Sequence, residues 1–414
     1  MNRLSPTFCV MPHLGLAIQN DGDMCVCNLN SQSYELDGLA QTIDKITVDQ
    51  IWSSPTRTSI ANMLDTGIKN PGCNVCWDAE AAGKQSTRQL LNEAFGDIEP
   101  DPNQPRILIL KPGNTCNAAC RICFPTTSSS WYKDAYELEK VKDPTLKFNS
   151  YIKKFESVKN SFNLDSPNMW PILKDWYKKL KFIDIYGGEP FLIPGLWLSL
   201  QEAIDNGYAK GIDLRISTNG SIWNEDYMHI LSQFKTVDIG VSIDSHVERE
   251  FEYMRHKLNY KITIDHTKKI IAFTNQFEHM LTRISCTVSV LNIWNLNEIY
   301  SNLNEELSTT IIVTNFVYMP DHYDIRHLPR EVKALIIEKL KHNLEFLPVI
   351  NFMDQIIEGC VMYWPKFCMT TDKLDKVRGT NFKDVYTEWY SVLEPFWDYK
   401  KPNPSWYGSC GFSS

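Results

Sequence analysis

"KPGNTCNAACRICFPTTSSSW", residues 111–131, puts Cys116, Cys120 and Cys123 in one short loop. Their spacing is Cys-x3-Cys-x2-Cys, and the loop holds no histidine. A closed structural zinc site takes four ligands, usually as two separated pairs. Three thiolates from one loop suit a [4Fe–4S] cube held at three corners, with one iron left open to a further ligand. The loop directly follows "RILIL" at 106–110, a short β-rich run.

Similar runs recur downstream: "FIDIY" at 182–186, "IDLRIS" at 212–217, "VDIGVSID" at 237–244, "ISCTVSVL" at 284–291 and "TIIVTNFVY" at 310–318. Helical stretches such as "YIKKFESVKNSF" and "LWLSLQEAIDN" separate them. Ile- and Val-rich strands alternating with helices argue for parallel βα units. Six such units predict an α/β fold, a partial (β/α)6 barrel, with its chemistry at the C-terminal strand ends.

Residues 1–100 read differently. "LGLAIQNDGDMCVCN" alternates around Asn-Asp-Gly, a hairpin signal with Gly22 at the turn. "DAEAAGKQSTRQLLNEAF" predicts a helix over 78–95, and "DPNQP" at 101–105 marks a boundary. The expected organisation is an N-terminal Cys-rich hairpin–helix module at 1–100, a barrel at 106–320 and a C-terminal extension at 321–414. In the extension, "PREVKALIIEKLKHNLEFL" reads as an amphipathic helix, and 368–389 as turns with a short helix. The tail is rich in Trp, Tyr and Pro, and the region would cap the barrel or form part of a substrate wall.

Composition narrows the function classes. A chain of 414 residues, 43% hydrophobic, is long enough for two or three structural units. No charged-then-apolar opening marks a signal peptide, and no window matches a bilayer span, so the expectation is a cytoplasmic protein without a membrane partner. Net charge is −8 with no basic stripe, which disfavours nucleic acid. Short runs such as "YKKLK" at 177–181 and "HTKKII" at 266–271 read as solvated helix faces. Twelve cysteines in such a chain suggest metal rather than disulfides. They cluster as Cys9, Cys25, Cys27, Cys73 and Cys76, and as Cys116, Cys120 and Cys123. Cys286, Cys360, Cys368 and Cys410 are scattered and read as buried apolar thiols.

The sequence "CNAACRIC", followed by "YGGEPFL" at 186–192, "STNGS" at 217–221 and "VSIDS" at 241–245, resembles the radical S-adenosylmethionine (SAM) superfamily. The resemblance covers roughly 106–320. It implies that the cluster on Cys116, Cys120 and Cys123 chelates SAM at its open iron and splits it reductively to methionine and a 5′-deoxyadenosyl radical. That radical takes hydrogen from a substrate. The cofactor carries the hard chemistry, and the protein positions it. The resemblance assigns Gly187, Gly188, Glu189 and Pro190 to the methionyl end, with Glu189 accepting from its ammonium. It sets Ser217, Asn219, Ser242 and Asp244 near the ribose hydroxyls and the methionine carboxylate. Read without the family, Ser217, Asn219 and Asp244 are equally helix caps. The usual aromatic before the third cysteine is here Ile122, with Phe124 just beyond. No catalytic side chain is assigned.

The layout Cys9-x12-Gly22-x4-Cys27, with Cys73-x2-Cys76 leading into a helix, resembles the twitch module, a shortened SPASM domain. The resemblance implies an auxiliary [4Fe–4S] cluster on Cys9, Cys27, Cys73 and Cys76, although that module usually follows the barrel. Cys25 permits a rival: zinc on Cys25, Cys27, Cys73 and Cys76. The implied partners are a small-molecule or peptide substrate and a reductant such as flavodoxin or ferredoxin. The alternatives are an iron–sulfur carrier or cluster scaffold, and a zinc-stapled binding protein on a degenerate barrel.

Overall fold

A computed structural model describes residues 4–30, 32–36, 39–40, 48–155, 170–355 and 360–398. It is a mixed α/β fold built on one eight-stranded open sheet. The strands are β1 (Gly15–Ile18), β2 (Met24–Cys25), β5 (Ile107–Leu110), β6 (Phe182–Ile185), β7 (Asp213–Thr218), β8 (Thr236–Ser242), β9 (Met280–Val288) and β10 (Thr310–Phe316). Two further short strands, β3 (Glu35–Leu36) and β4 (Leu39–Ala40), form a separate antiparallel pair. The order in the large sheet is β10-β9-β8-β7-β6-β5-β1-β2.

From β5 to β10 every neighbouring pair is parallel. All six runs of the sequence reading become strands, with ends shifted by a few residues. Between successive strands run the helices Trp170–Tyr177, Pro194–Asp205, Glu225–Leu231, Tyr260–Thr274 and Leu296–Leu307. Asn224 and Asn259 start two of them, their side chains accepting from Tyr227 N at 3.1 Å and Ile262 N at 3.0 Å. That satisfies one of the orphan amides of each first turn. Of the stretch "YIKKFESVKNSF", the helix Phe148–Ile152 and a 3-10 turn at Lys153–Phe155 are described, and the remainder lies outside the described residues.

Strand faces divide by chemistry. Ile183, Ile185, Leu214, Ile216, Val237, Ile239 and Val241 are buried in the main core. The alternate positions Asp184, Arg215, Asp238 and Arg283 instead line a space inside the curved sheet. Period-two side-chain alternation makes that split possible.

The N-terminal hairpin is continuous with this sheet. Its first strand β1 pairs parallel with β5, Gly15 opposite Ile107 and Ile18 opposite Leu110. The pairing spans the turn-rich 101–105 segment, so hairpin and barrel share one core. Gly22 sits at the turn with φ +87°. The expected single helix over 78–95 is two, Asn74–Ala81 and Thr87–Phe95. Gly83, at φ +78°, ends the first, and Ser86 opens the second with a capping box to Gln89.

The C-terminal extension packs back on both parts. Trp389 Nε1 donates to Val290 O at 2.9 Å, and Arg326 pairs with Asp78 at 2.7 Å. The amphipathic helix at 329–347 is shorter than its pattern, Arg330–Leu340, followed by a second at Leu347–Met353. The segment 368–389, read as turns with a short helix, is mostly helix: Cys360–Arg378 is one long helix, followed by Phe382–Val385 and Thr387–Leu393. The tail from 399 lies outside the described residues. Among the described residues no helix is long and apolar enough to cross a membrane.

His322 and His327 lie buried in this extension, 7% and 4% exposed. Burial pushes their imidazoles down to about 4 and about 3. The folded protein therefore binds these protons later than the unfolded chain, whose histidines titrate near ~6.5. Stability is present above that value and is lost as pH falls toward the folded pKa. Between pH 7 and pH 4.5 each histidine is expected to cost about 2 kcal/mol. Thermal unfolding should show it, and His322→Gln with His327→Gln should flatten that acid limb. An unchanged slope in the double variant would refute the assignment.

Candidate functional site

The three-cysteine loop leaves the C-terminal end of β5, and its backbone is tied on all sides. Trp131 Nε1 donates to Cys120 O at 2.8 Å, Ser130 Oγ to Cys116 O at 2.8 Å, and Ala119 N to His256 O at 2.9 Å. Arg121 N donates to Met254 O at 2.8 Å, and its guanidinium lies 3.6 Å over the Tyr253 ring and pairs with Asp375. These anchors turn the three thiols toward one another. Cys120 and Cys123 are in hydrogen-bonding contact, and Cys116 lies within electrostatic reach of both. Burial pushes the Cys116 thiol up to about 12. Cys120 is drawn down to about 7, first by the hydrogen bond from Cys123 and then, against burial, by the Arg255 guanidinium. Arg255 Nη1 stands 3.9 Å from Cys120 Sγ.

The Gly-Gly-Glu-Pro turn after β6 packs directly against this loop. Glu189 N donates to Thr115 O at 2.8 Å. Gly187 and Gly188 have φ of +100° and +60°. A Cβ on Gly188 would stand 2.5 Å from Thr115 O, a backbone atom that cannot swing aside. Gly188→Ala is thus expected to cost about 1–3 kcal/mol in strain. It should also displace the loop and, if the loop holds the iron–sulfur cluster that the sequence reading expects, reduce iron retention after reconstitution. Wild-type iron content and stability in that variant would overturn the role given to this turn.

The remaining expected ligands are placed as follows. Glu189 is fully buried, its carboxylate already accepting from Thr218 Oγ1 at 2.8 Å, Asn219 N at 2.7 Å and Phe191 N at 3.1 Å. Burial holds its pKa above the usual range, and it ties the β6 turn to the end of β7. Pro190 is buried behind it, its carbonyl accepting from Trp197 Nε1 at 3.1 Å. Asn219 Nδ2 donates to Asn117 Oδ1 at 2.9 Å and stands 3.9 Å from Cys116 Sγ. Neither Ser217 nor Asn219 caps the following helix, a task done by Asn224. Asp244 is buried, 1% exposed, in an ion pair with Arg255 at 2.7 Å, and accepts from Thr287 N at 2.8 Å. It braces the cysteine loop through Arg255, and Val247, not Asp244, holds the N-cap position of the next helix. Ser242 is half-buried at the end of β8, opposite Ser285.

Beside these groups opens the interior of the curved sheet, a space of about 1450 Å³. Ser217 lines it, together with Tyr186, Asp184, Arg215, Asp238 and Arg283. Arg215 Nε meets Asp184 at 3.0 Å and Arg283 Nε meets Asp238 at 2.8 Å. Lys84 enters from the N-terminal module and Pro348 from the C-terminal extension. Two buried polar atoms nearby, Tyr186 Oη and Asn20 Oδ1, have no partner among the described residues. Buried polar atoms without partners are costly, and a polar ligand would satisfy them. None of the lumen charges was expected from the sequence. The available signal was charged residues inside otherwise apolar runs: one each in "FIDIY", "VDIG" and "TRIS", and two, Asp213 and Arg215, in "IDLRIS".

The first cysteine group resolves into two places. Cys9, Cys27, Cys73 and Cys76 line one apolar cavity. Burial raises all four thiols, Cys9 to about 12 and Cys76 to about 11. Cys25 is absent from that lining. It accepts from Gln19 Nε2 at 3.1 Å and donates to Cys27 O at 3.1 Å, and Gln19 in turn receives Lys111 Nζ at 2.6 Å. Among the described residues no group of three or more His, Cys, Asp or Glu side chains stands closely enough to hold one metal ion.

No family model matches the chain, and no curated protein matches its sequence. Solved structures do resemble it. One is anSMEcpe with bound AdoMet, 17% identical with a TM-score of 0.36, the match covering 57% of this chain and 59% of that one. Another is Streptococcus suis SuiB bound to S-adenosylmethionine, 12% identical with a TM-score of 0.34, covering 80% of this chain and 67% of that one. SuiB bound to precursor peptide SuiA gives 12% identity and a TM-score of 0.30, over 91% of this chain and 74% of that one. The chain thus spans less than two thirds of the length of anSMEcpe. Likeness this weak leaves the chemistry to the residues themselves.

Proposed function

We propose that this chain is a radical SAM enzyme. A [4Fe–4S] cluster on Cys116, Cys120 and Cys123, with SAM bound beside it, would supply a 5′-deoxyadenosyl radical that takes hydrogen from a substrate. The observation that supports the reading is a tightly anchored loop carrying three cysteines at the C-terminal end of β5, in a six-unit parallel sheet and beside a polar interior. An electron carrier has no use for such an interior.

The chain's own residues have definite tasks in this reading. The anchored loop fixes the three sulfurs before any ligand arrives, which spares ordering entropy. Gly187 and Gly188 leave the β6 turn without side chains, so backbone carbonyls can face a ligand's ammonium. Glu189 holds that turn against β7 rather than facing a ligand openly. Ser217 and Ser242 present hydroxyls at neighbouring strand ends. The Asp184–Arg215 and Asp238–Arg283 pairs give the interior both signs of charge, which suits a polar substrate, small molecule or peptide segment, bearing both.

For the cavity of Cys9, Cys27, Cys73 and Cys76 we favour an auxiliary [4Fe–4S] cluster over zinc. A cubane binds each thiolate at a different iron, so its ligands stand wider apart than four on a single zinc. The exclusion of Cys25 from the cavity lined by the other four supports this choice. Anaerobic reconstitution should give about eight irons per chain and no zinc, against about four irons and one zinc for the rival. Dithionite and SAM should release 5′-deoxyadenosine. Protein carrying a full iron complement yet releasing none would be a carrier or scaffold.

A further inference from the structure

A groove of about 1410 Å³ lies on the outer side of the cysteine loop, away from the interior. Its walls come from the helices Tyr132–Lys140 and Cys360–Arg378 and from the turn after Met254. Lys133, Lys257, Lys373 and Lys376 line it, and all four are exposed. No carboxylate pairs with any of the four among the described residues. Two acidic residues also line the groove. Asp134 is neutralised by Arg378 at 2.9 Å, which leaves Glu137 against four lysines. This is a concentrated positive surface on a chain whose net charge is −8.

The groove floor touches the cluster loop itself. Arg378 Nη2 donates to Ala119 O at 2.8 Å, and Ala119 N donates to His256 O. Ala119 is the residue before Cys120 and is fully buried. Lys257 Nζ donates to Ser130 O at 2.8 Å, and Ser130 in turn holds Cys116 O. Two thiol-bearing residues are thus reached from this surface through one or two side-chain contacts. The interior, by contrast, is lined by residues from other parts of the chain, Lys84 and Pro348 among them.

We propose that this groove is where an acidic one-electron carrier protein docks to reduce the cluster held by Cys116, Cys120 and Cys123. The proposal rests on the radical SAM reading. The carrier gives up one electron and is oxidised by one; the cluster gains that electron, and no bond or proton changes hands at the surface. Complementary charge accelerates such an encounter and makes it sensitive to salt.

The test uses reconstituted protein and flavodoxin as the probe. In the variant carrying Lys133→Glu, Lys373→Glu and Lys376→Glu, the Kd for oxidised flavodoxin at low ionic strength should rise about tenfold or more. Its salt dependence should flatten. Release of 5′-deoxyadenosine driven by flavodoxin hydroquinone should fall by about the same factor, while dithionite-driven release stays within about twofold of wild type. Unchanged Kd and flavodoxin-driven rate overturn the proposal, as does wild-type protein that dithionite drives but flavodoxin neither binds nor drives. Equal loss with dithionite overturns it too, since the lysines would then serve substrate or fold. If wild type releases no 5′-deoxyadenosine with dithionite, the enzymatic reading itself fails, whatever the Kd shows.

Discussion

Cys120→Ala is expected to remove about four irons per chain and to bring 5′-deoxyadenosine release to background. On the proposed radical SAM reading, a cubane left with two protein ligands would not be retained, and without it SAM would not be split. The substitution is mild for the fold. The loop is held by the Cys120 carbonyl through Trp131, by Ala119 through His256 and by Arg121 through Tyr253, none of which involves the thiol. Loss of one buried sulfur costs about 1 kcal/mol, so a folded, iron-poor, inactive protein is the expected product. Cys25→Ala is the matched control. Cys25 is buried but lies outside both thiol groups, bonded to Gln19 and Cys27 O. It should keep full iron and full cleavage. Equal iron loss in the two variants would mean that general fragility, not ligation, governs iron content.

Arg255→Met is expected to destabilise the protein by about 3–5 kcal/mol, read from denaturant unfolding. Arg255 and Asp244 form a buried pair at 2.7 Å, with side chains 7% and 1% exposed. Removing the guanidinium strands a carboxylate whose other polar contact is Thr287 N. The large figure is the cost of that stranded charge, not the net worth of the pair. Adding Asp244→Asn should therefore restore part of the loss. A single-variant cost below about 1 kcal/mol, or no recovery in the double variant, would show that the pair does not carry this load.

The strands were legible because their chemistry is repetitive. Runs such as "RILIL" and "FIDIY" bury one face against helices whatever lies on the other, so Ile and Val mark them. The cysteine loop was legible because ligand spacing within one loop is a local property. The lumen was not, because Asp184 and Arg215 meet across two strands at a register no local pattern encodes. Local reading also missed the break at Gly83, where one residue of positive φ outweighs a continuous helical pattern. It failed again over 368–378, where Thr-Thr-Asp lowers intrinsic preference but Phe367, Cys368 and Leu374 are buried and hold the helix in place. Glu189 and Asp244 show the same limit: the residues were found, but their partners Thr218, Asn219 and Arg255 are set by tertiary contact.

The pairing of β1 with β5 has a practical consequence. A barrel that stopped at β5 would present that strand's amides and carbonyls, flanked by Ile107, Leu108, Ile109 and Leu110, as an open template for another chain. The hairpin occupies that border and leaves only the two-residue β2 outermost. Whatever its cysteines bind, the leading segment therefore acts as a shield against self-association, and excising it to isolate the β5–β10 sheet is expected to yield aggregates rather than a smaller folded protein.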